Sequence, residues 1–423
     1  MLLILAGVSI SLILDNNGII KKSKDARREY RQAQANEQAD LSDLSDLIDD
    51  ATAEPTPKVN VNTKAEDNST INGKKGNSNN PTVPKGYIPI NTETSSWGDG
   101  TSAPTQDSVD HGLVIKGDSD DNEWVWIPVD ETTLATMCNT SNETEYTLCG
   151  TSGETAVKTK LYSSTITIGK DSNTITRTTP GTTSDYREPD LVVGSNGTSY
   201  DAKEEYYKDI LGFSSKEKMA EAFVADYNEM IVSIGKYGGF YIGRYELSES
   251  GVKKDQPTLT KTNWYNLYKK CTELQASDKV KTQMIWGCQW DVTMNWLISS
   301  GAKTSDEVNK NSSTWGNYSN YNTANNYTEG TTGYEKNAGS LQNTGSSENW
   351  KANNIYDLAG NVWEWTQEAG GTSRRAGRGG CYNLHGSGYP ASNRANNSPV
   401  SSDFDNIRFS SHFNNKVILD TRA

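Results

Sequence analysis

Few residues in this chain are equipped for chemistry. Five cysteines and three histidines are spread over 423 residues. Cys271, Cys288 and Cys381 show no CxxC spacing, so the thiols are not set out as zinc ligands. His111, His385 and His412 are too scattered in sequence to suggest acid–base catalysis. Cys138 and Cys149 bracket a short polar insert and can pair if the chain is exported. The formal charge of −13 argues against nucleic acid as a partner, because phosphate binding needs a basic surface.

The strongest local signal is compositional. From Ala369 to Asn415 there is no Lys, Glu, Gln, Trp or Met, although Arg recurs. Those types share a property of the genetic code: none has a codon ending in a pyrimidine. An Asn codon randomised at its adenines reaches Tyr, Ser, His, Asp, Phe, Gly and Cys, and none of the absent types. The segment therefore reads as diversified through its Asn codons. The competing reading is a Gly- and Asn-rich loop of accidental composition.

The elements that must position such a segment follow from patterning. Residues 1–14 are an apolar run, too short to span a bilayer, which takes about 20 residues. A polar helical pattern follows, with Leu41, Leu44, Leu47 and Ile48 as a thin apolar stripe. Residues 51–85, rich in Thr, Pro, Asn, Lys and Ser, read as a disordered linker between this helix (1–50) and a head spanning 86–423. In the head, Glu123–Val129 and Gly239–Glu246 alternate like strands. Ser215–Glu229, Asn263–Leu274 and Gln283–Ser299 carry helical spacing, with Trp264, Tyr265, Leu267, Met284, Trp286, Trp290 and Trp296 as core. Leu134–Gly197 suggests short strands and loops, and Thr304–Lys351 a polar surface excursion. The low apolar share predicts a loop-rich α+β domain whose core relies on Trp and Tyr.

LLILAGVSISLILDNNGIIKKSKDA followed by EYRQAQANEQ resembles the N-terminal helix of type IV pilin-like proteins of Gram-positive bacteria. The resemblance implies a membrane anchor that later packs against other pilin subunits. Met1 falls inside that helix, so its first part is expected to be truncated here.

In the head, NIYDLAGNVWEWTQE (Asn354–Glu368) and GRGGCYN (Gly377–Asn383) stand out, together with EWVWIPV, GGFYIGRYE, TNWYNLY and QMIWGCQWDVTMNWL. They resemble the formylglycine-generating enzyme, or sulfatase-modifying factor, superfamily. That resemblance implies a C-type-lectin-like fold with little regular secondary structure. Gly360, Asn361, Trp363, Glu364, Trp365, Arg378, Gly379 and Gly380 are then expected to support the fold. Enzymatic members use a cysteine pair after the RGG motif to bind copper and oxidise a substrate cysteine. Here Cys381 follows directly and no second cysteine comes after it, so no catalytic residues and no enzyme activity are expected. Asn361 and Glu364 match positions that offer oxygen ligands to structural calcium. Two donors fall short of the six to eight that Ca²⁺ takes, roughly, so no cofactor is assigned and calcium stays open.

The variable proteins of diversity-generating retroelements share this fold and mutate the segment after the RGG motif. The resemblance implies a ligand-binding face made from Tyr382, Asn383, His385, Tyr389, Asn396, Asn397, Asp403, Phe404 and Asp405, within a variable segment at 369–415. Rigid aromatic rings and adaptable polar groups suit such a face. The expected protein is an extracellular adhesin or receptor on a cell surface or pilus, taking an unknown protein or glycan. The alternatives are a fixed-specificity adhesin or minor structural pilin, and a copper-dependent oxidase.

Overall fold

The computed structural model describes residues 56–137, 143–147, 156–160, 165–167, 174–176, 186–189, 191, 200–201, 203–274, 279–370, 373–400, 413–414 and 417–421. The expected pilin-like helix, the Cys138–Cys149 pair and Asp403, Phe404 and Asp405 lie outside these residues. No described helix is long and apolar enough to cross a membrane.

The fold is α+β, built from several mostly antiparallel sheets with few long helices. In chain order its strands begin with β1 (Tyr87–Ile90), β2 (Val114–Gly117) and β3 (Glu123–Pro128). Two hairpins follow, β4 (Glu143–Thr147) with β5 (Ala156–Lys160), and β6 (Thr165–Thr167) with β7 (Thr174–Thr176). Next come β8 (Tyr186–Arg187), β9 (Gly239–Gly243), β10 (Val280–Met284), and the pair β11 (Lys351–Ala352) and β12 (Ile355–Tyr356). The C-terminal part holds β13 (Trp363–Gly370), β14 (Arg374–Arg378), β15 (Ala395–Asn397), β16 (Phe413–Asn414) and β17 (Val417–Thr421).

The larger sheet has the order β1-β2-β3-β9-β17-β10, so the last strand of the chain is inserted between two earlier ones. Its residues alternate between two cores, as period-2 geometry demands. Trp124 and Trp126 of β3 join one apolar cluster, and Val125 and Ile127 join the other. All eleven tryptophans are buried, which matches a core carried by aromatic residues. The second sheet, β15-β14-β13-β16 with β8 also on β13, holds part of each sequence motif and part of the compositionally restricted segment. Only β16 pairs in parallel there among the described strands, setting Phe413 opposite Trp363.

Several expected boundaries move. The long helix is Lys216–Tyr237, capped by Ser215 and ended by Gly238 at φ 75°. The run expected as one helix over Gln283–Ser299 is divided: β10 takes Val280–Met284, and the helix is Gly287–Ser299.

Two regions expected outside the core belong to it. Residues 56–85 are not a linker: the compact unit begins at Thr56. Val59, Ala65, Ile71 and Val83 are buried in the first cluster. Ser69 and Val83 exchange backbone hydrogen bonds of 2.9 and 2.7 Å. The Trp126 indole donates to Ser78 O at 2.9 Å, and the Tyr241 hydroxyl to Thr82 O at 2.9 Å. Asn side chains complete the order, Asn72 Oδ1 accepting from Lys74 N and Asn77 Oδ1 from Asn79 N. Composition misleads here because a few apolar anchors and Asx turns do the work of a periodic pattern.

The Thr304–Lys351 excursion is likewise part of the core. Val308, Trp315, Tyr318, Tyr321 and Trp350 are buried within it. A head beginning at Gly86 should therefore lose a large part of the thermal midpoint of one beginning at Thr56. Within residues 56–85, Ile71→Ala should cost about 2–5 kcal/mol, as burial of an Ile side chain predicts, measured by denaturant titration.

Candidate ligand-binding face

The site is built on two glycine turns that hold each other. Gly360 (φ 75°) and Asn361 (φ 55°) turn the chain into β13, and Gly379 (φ 87°) and Gly380 (φ 81°) end β14. Side chains are excluded at these points. A Cβ at Gly360 would come within 2.1 Å of Asn317 O, and one at Gly379 within 2.2 Å of Glu364 Oε2. Gly360 N donates to Gly379 O, and Tyr382 N to Asn361 O, each at 2.9 Å. Trp363, Glu364, Trp365 and Arg378 are all buried.

Of the two calcium candidates, Asn361 has its amide engaged in hydrogen bonds to three segments. Its Oδ1 accepts from Asn317 Nδ2 and Gln342 N, both at 3.1 Å, and its Nδ2 donates to Glu246 Oε2 at 2.7 Å. Asn361 thus braces three loops. Among the described residues no three His, Cys, Asp or Glu side chains gather as metal ligands.

A buried ionic cluster, which the sequence reading did not single out beyond Arg378, joins this hairpin to the helix Gly287–Ser299. Asp291 on that helix takes Arg378 on one carboxylate oxygen and Arg394 on the other. Arg394 Nε also donates to Glu368 Oε2 at 2.9 Å, and Arg378 Nη1 lies 3.8 Å from the same oxygen. Burial, followed by the neighbouring Arg394 charge, pulls the Arg378 guanidinium down to about 10. Glu188 accepts from Cys288 N at 3.1 Å in the first turn of the helix, where an anion is favoured. Gly287 leaves the room: a Cβ there would meet Glu188 Oε1 at 2.4 Å and Glu368 Oε2 at 2.6 Å.

Arg375 has its own partner. It pairs with Asp201 at 2.6 Å, donates to Gln367 O at 2.8 Å and stacks 4.4 Å from the Trp264 ring centroid. Asp291 could have been noticed in the sequence as a lone charge within an apolar, Trp-rich helix. Its pairing with Arg394, far along the chain, had no local signal.

The expected contact residues fall into two separate elements. Tyr382, Asn383, His385 and Tyr389 belong to the turn after the RGG motif, with Asn383 and His385 exposed and the two tyrosines half-buried. Asn396, exposed, and Asn397, half-buried, lie on β15 beside β14. Tyr389 departs from expectation: its ring meets Trp363 edge-on at 5.8 Å, so it serves packing as well as surface.

The turn is fastened largely through main-chain atoms, and the Thr304–Lys351 excursion is its bed. Ser319 donates to Leu384 O from both N (3.0 Å) and Oγ (2.9 Å). The Tyr318 hydroxyl contacts the carbonyl oxygens of Gly379 (2.6 Å) and Tyr389 (2.8 Å). Ser312 N donates to Gly386 O, and Ser312 Oγ accepts from Ala391 N. Cys381 is buried beneath this turn, its thiol donating to Asn383 Oδ1 at 3.0 Å, and burial pushes that thiol up to about 12.

Taken together, these features define an α+β domain that presents a polar turn on a rigid, ion-paired frame. No protein-family profile and no curated protein matches the sequence. Among solved structures, the chain has a weak likeness to Treponema denticola variable protein 1, at 14% identity and a TM-score of 0.23, covering 65% of this chain and 98% of that one.

Removing one partner from a buried ion cluster strands the others, so Asp291→Ala should cost about 3–5 kcal/mol in denaturant unfolding. Arg394→Lys should also destabilise, because an ammonium cannot bridge Asp291 and Glu368 as a guanidinium does. In the native protein the Cys381 peptide should resist iodoacetamide at pH 8 and react once denatured, read by peptide-resolved mass spectrometry.

Proposed function

We propose that this chain is a displayed ligand-binding protein whose C-terminal face is diversified, on a C-type-lectin-like head akin to the variable proteins of retroelements. One observation carries the reading. Between Ser373 and Val400 every Asn (383, 393, 396 and 397) is exposed or half-buried, while the side chains of Arg375, Arg378 and Arg394 are buried in ion pairs. The Asn residues of this stretch thus meet solvent, and the arginines that fix the frame lie inside. Diversification would then alter contacts at little cost to folding.

Recognition rather than turnover is supported by Cys381, which is buried and held as the thiol. On this reading the N-terminal pilin-like segment would place the head outside the cell, on a membrane or pilus. Many copies on one surface would strengthen weak single contacts by avidity. A protein ligand would cover about 800 Å² of the face.

The test is deep sequencing of the gene and its flanks across a population of source cells. Variation confined to adenine-derived positions within 369–415, beside a near-copy of the segment and a reverse transcriptase, is the expected result. An invariant segment with neither companion would instead mean a fixed-specificity adhesin or structural pilin.

A further inference from the structure

Away from the candidate face, one lysine is held against two carboxyl groups in a setting that suits a covalent step. Lys281 lies on β10, an edge strand of the larger sheet, and its Nζ contacts Asp226 Oδ1 on the long helix. The same nitrogen lies 3.2 Å from Glu229 Oε2, and Glu229 follows Asp226 by three residues on the same helix face. The Lys281 and Asp226 side chains are only 19% and 18% exposed. By contrast, the pairs Lys116–Asp121, Lys254–Glu348 and Lys351–Glu348 each leave more than half of the carboxylate side chain in solvent. The buried Tyr268 hydroxyl donates to the other Asp226 oxygen at 3.3 Å, and the Phe223 ring packs 5.3 Å from the Tyr268 ring. Burial, the largest influence, raises the Asp226 carboxyl above its ordinary range even though Lys281 pulls it down. That favours the protonated acid, the form that an amine can attack.

We propose that Lys281 and Asp226 join in an intramolecular amide, with Glu229 as proton carrier, so that β10 is stapled covalently to the long helix. Glu229 takes a proton from the Lys281 ammonium, and the freed lone pair on Nζ bonds to Asp226 Cγ. The C–OH bond of the acid then breaks, and the hydroxyl leaves as water with a second proton from Nζ. The products are one amide, one water and a protonated Glu229, which returns its proton to solvent. No oxidant or further reactant is consumed. The Tyr268 hydroxyl faces the oxygen that becomes the amide carbonyl and stabilises the charge that builds there during addition. Two groups fixed on packed elements react as if at very high concentration, about 10⁵ M or more in well-oriented cases, which draws the condensation forward in water. The staple serves a strand that is paired within its sheet to β17 alone.

Intact mass spectrometry of the full chain, purified folded and then denatured, tests this beside Lys281→Arg and Glu229→Gln. Arginine keeps the ion pair and forms no amide, so it separates the bond from the salt bridge. The parent should be lighter than its sequence by the mass of one water, and both variants should keep the full sequence mass. Trypsin should release from the parent a branched peptide that joins residues 219–236 to residues 280–303, because an acylated Lys281 is not cleaved. A parent at its full sequence mass overturns the proposal and leaves an ion pair only. So does a loss of water that persists in Lys281→Arg, which would belong elsewhere in the chain. Complete loss of water in Glu229→Gln overturns Glu229 as the proton carrier. The ligand-binding reading stands apart from every one of these outcomes, since no residue of the candidate face takes part.

Discussion

The carboxylate of Asp291 is the point on which the C-terminal half of this protein depends. It stands on a helix whose neighbours are tryptophans, and it is shared by two buried guanidinium groups. One belongs to the strand before the RGG turn and the other to the segment after it, so a single side chain ties both ends of the turn to the helix. A charge in such a place is expensive unless fully paired. Glu368 adds a second carboxylate, accepting from Arg394 and lying 3.8 Å from Arg378, and Glu188 accepts from Cys288 N at the start of the helix. Arginine is required here for geometry as much as for charge, since its planar fork can engage two carboxylates at once.

This frame gives a physical reason for a feature that looked purely genetic. Arg without Lys in the restricted segment suits the codon account, and it also suits a set of buried guanidinium sites, two of which bridge two partners each. The two accounts address different residues. Buried Arg375, Arg378 and Arg394 answer to the ion pairs, while exposed Asn383, His385 and Asn396 carry no such burden.

Polar sequence need not mean loose structure. Residues 56–85 and 304–351 are both rich in Asn and Thr, and both are ordered through side chain to backbone hydrogen bonds around a few buried apolar residues. Their roles differ. The first closes over Trp126 and Tyr241, and the second supports the turn that carries the candidate face. Neither could be read from apolar periodicity, because neither relies on it.

What the sequence determined by itself was local. Alternation in Glu123–Pro128 and Gly239–Gly243 specified strands, Trp spacing specified buried helices, and the Gly360 and Gly379–Gly380 motifs specified turns that exclude a Cβ. Tertiary structure alone decided which polar residues are core. Asp291 meets Arg394 across roughly a hundred residues of chain, and Ser319 meets Leu384 across more than sixty. It also divided the candidate face, turning Asn383 and His385 to solvent and Tyr389 against Trp363. Such pairings join segments far apart in the chain, and no local pattern encodes a partner that folding has yet to bring near.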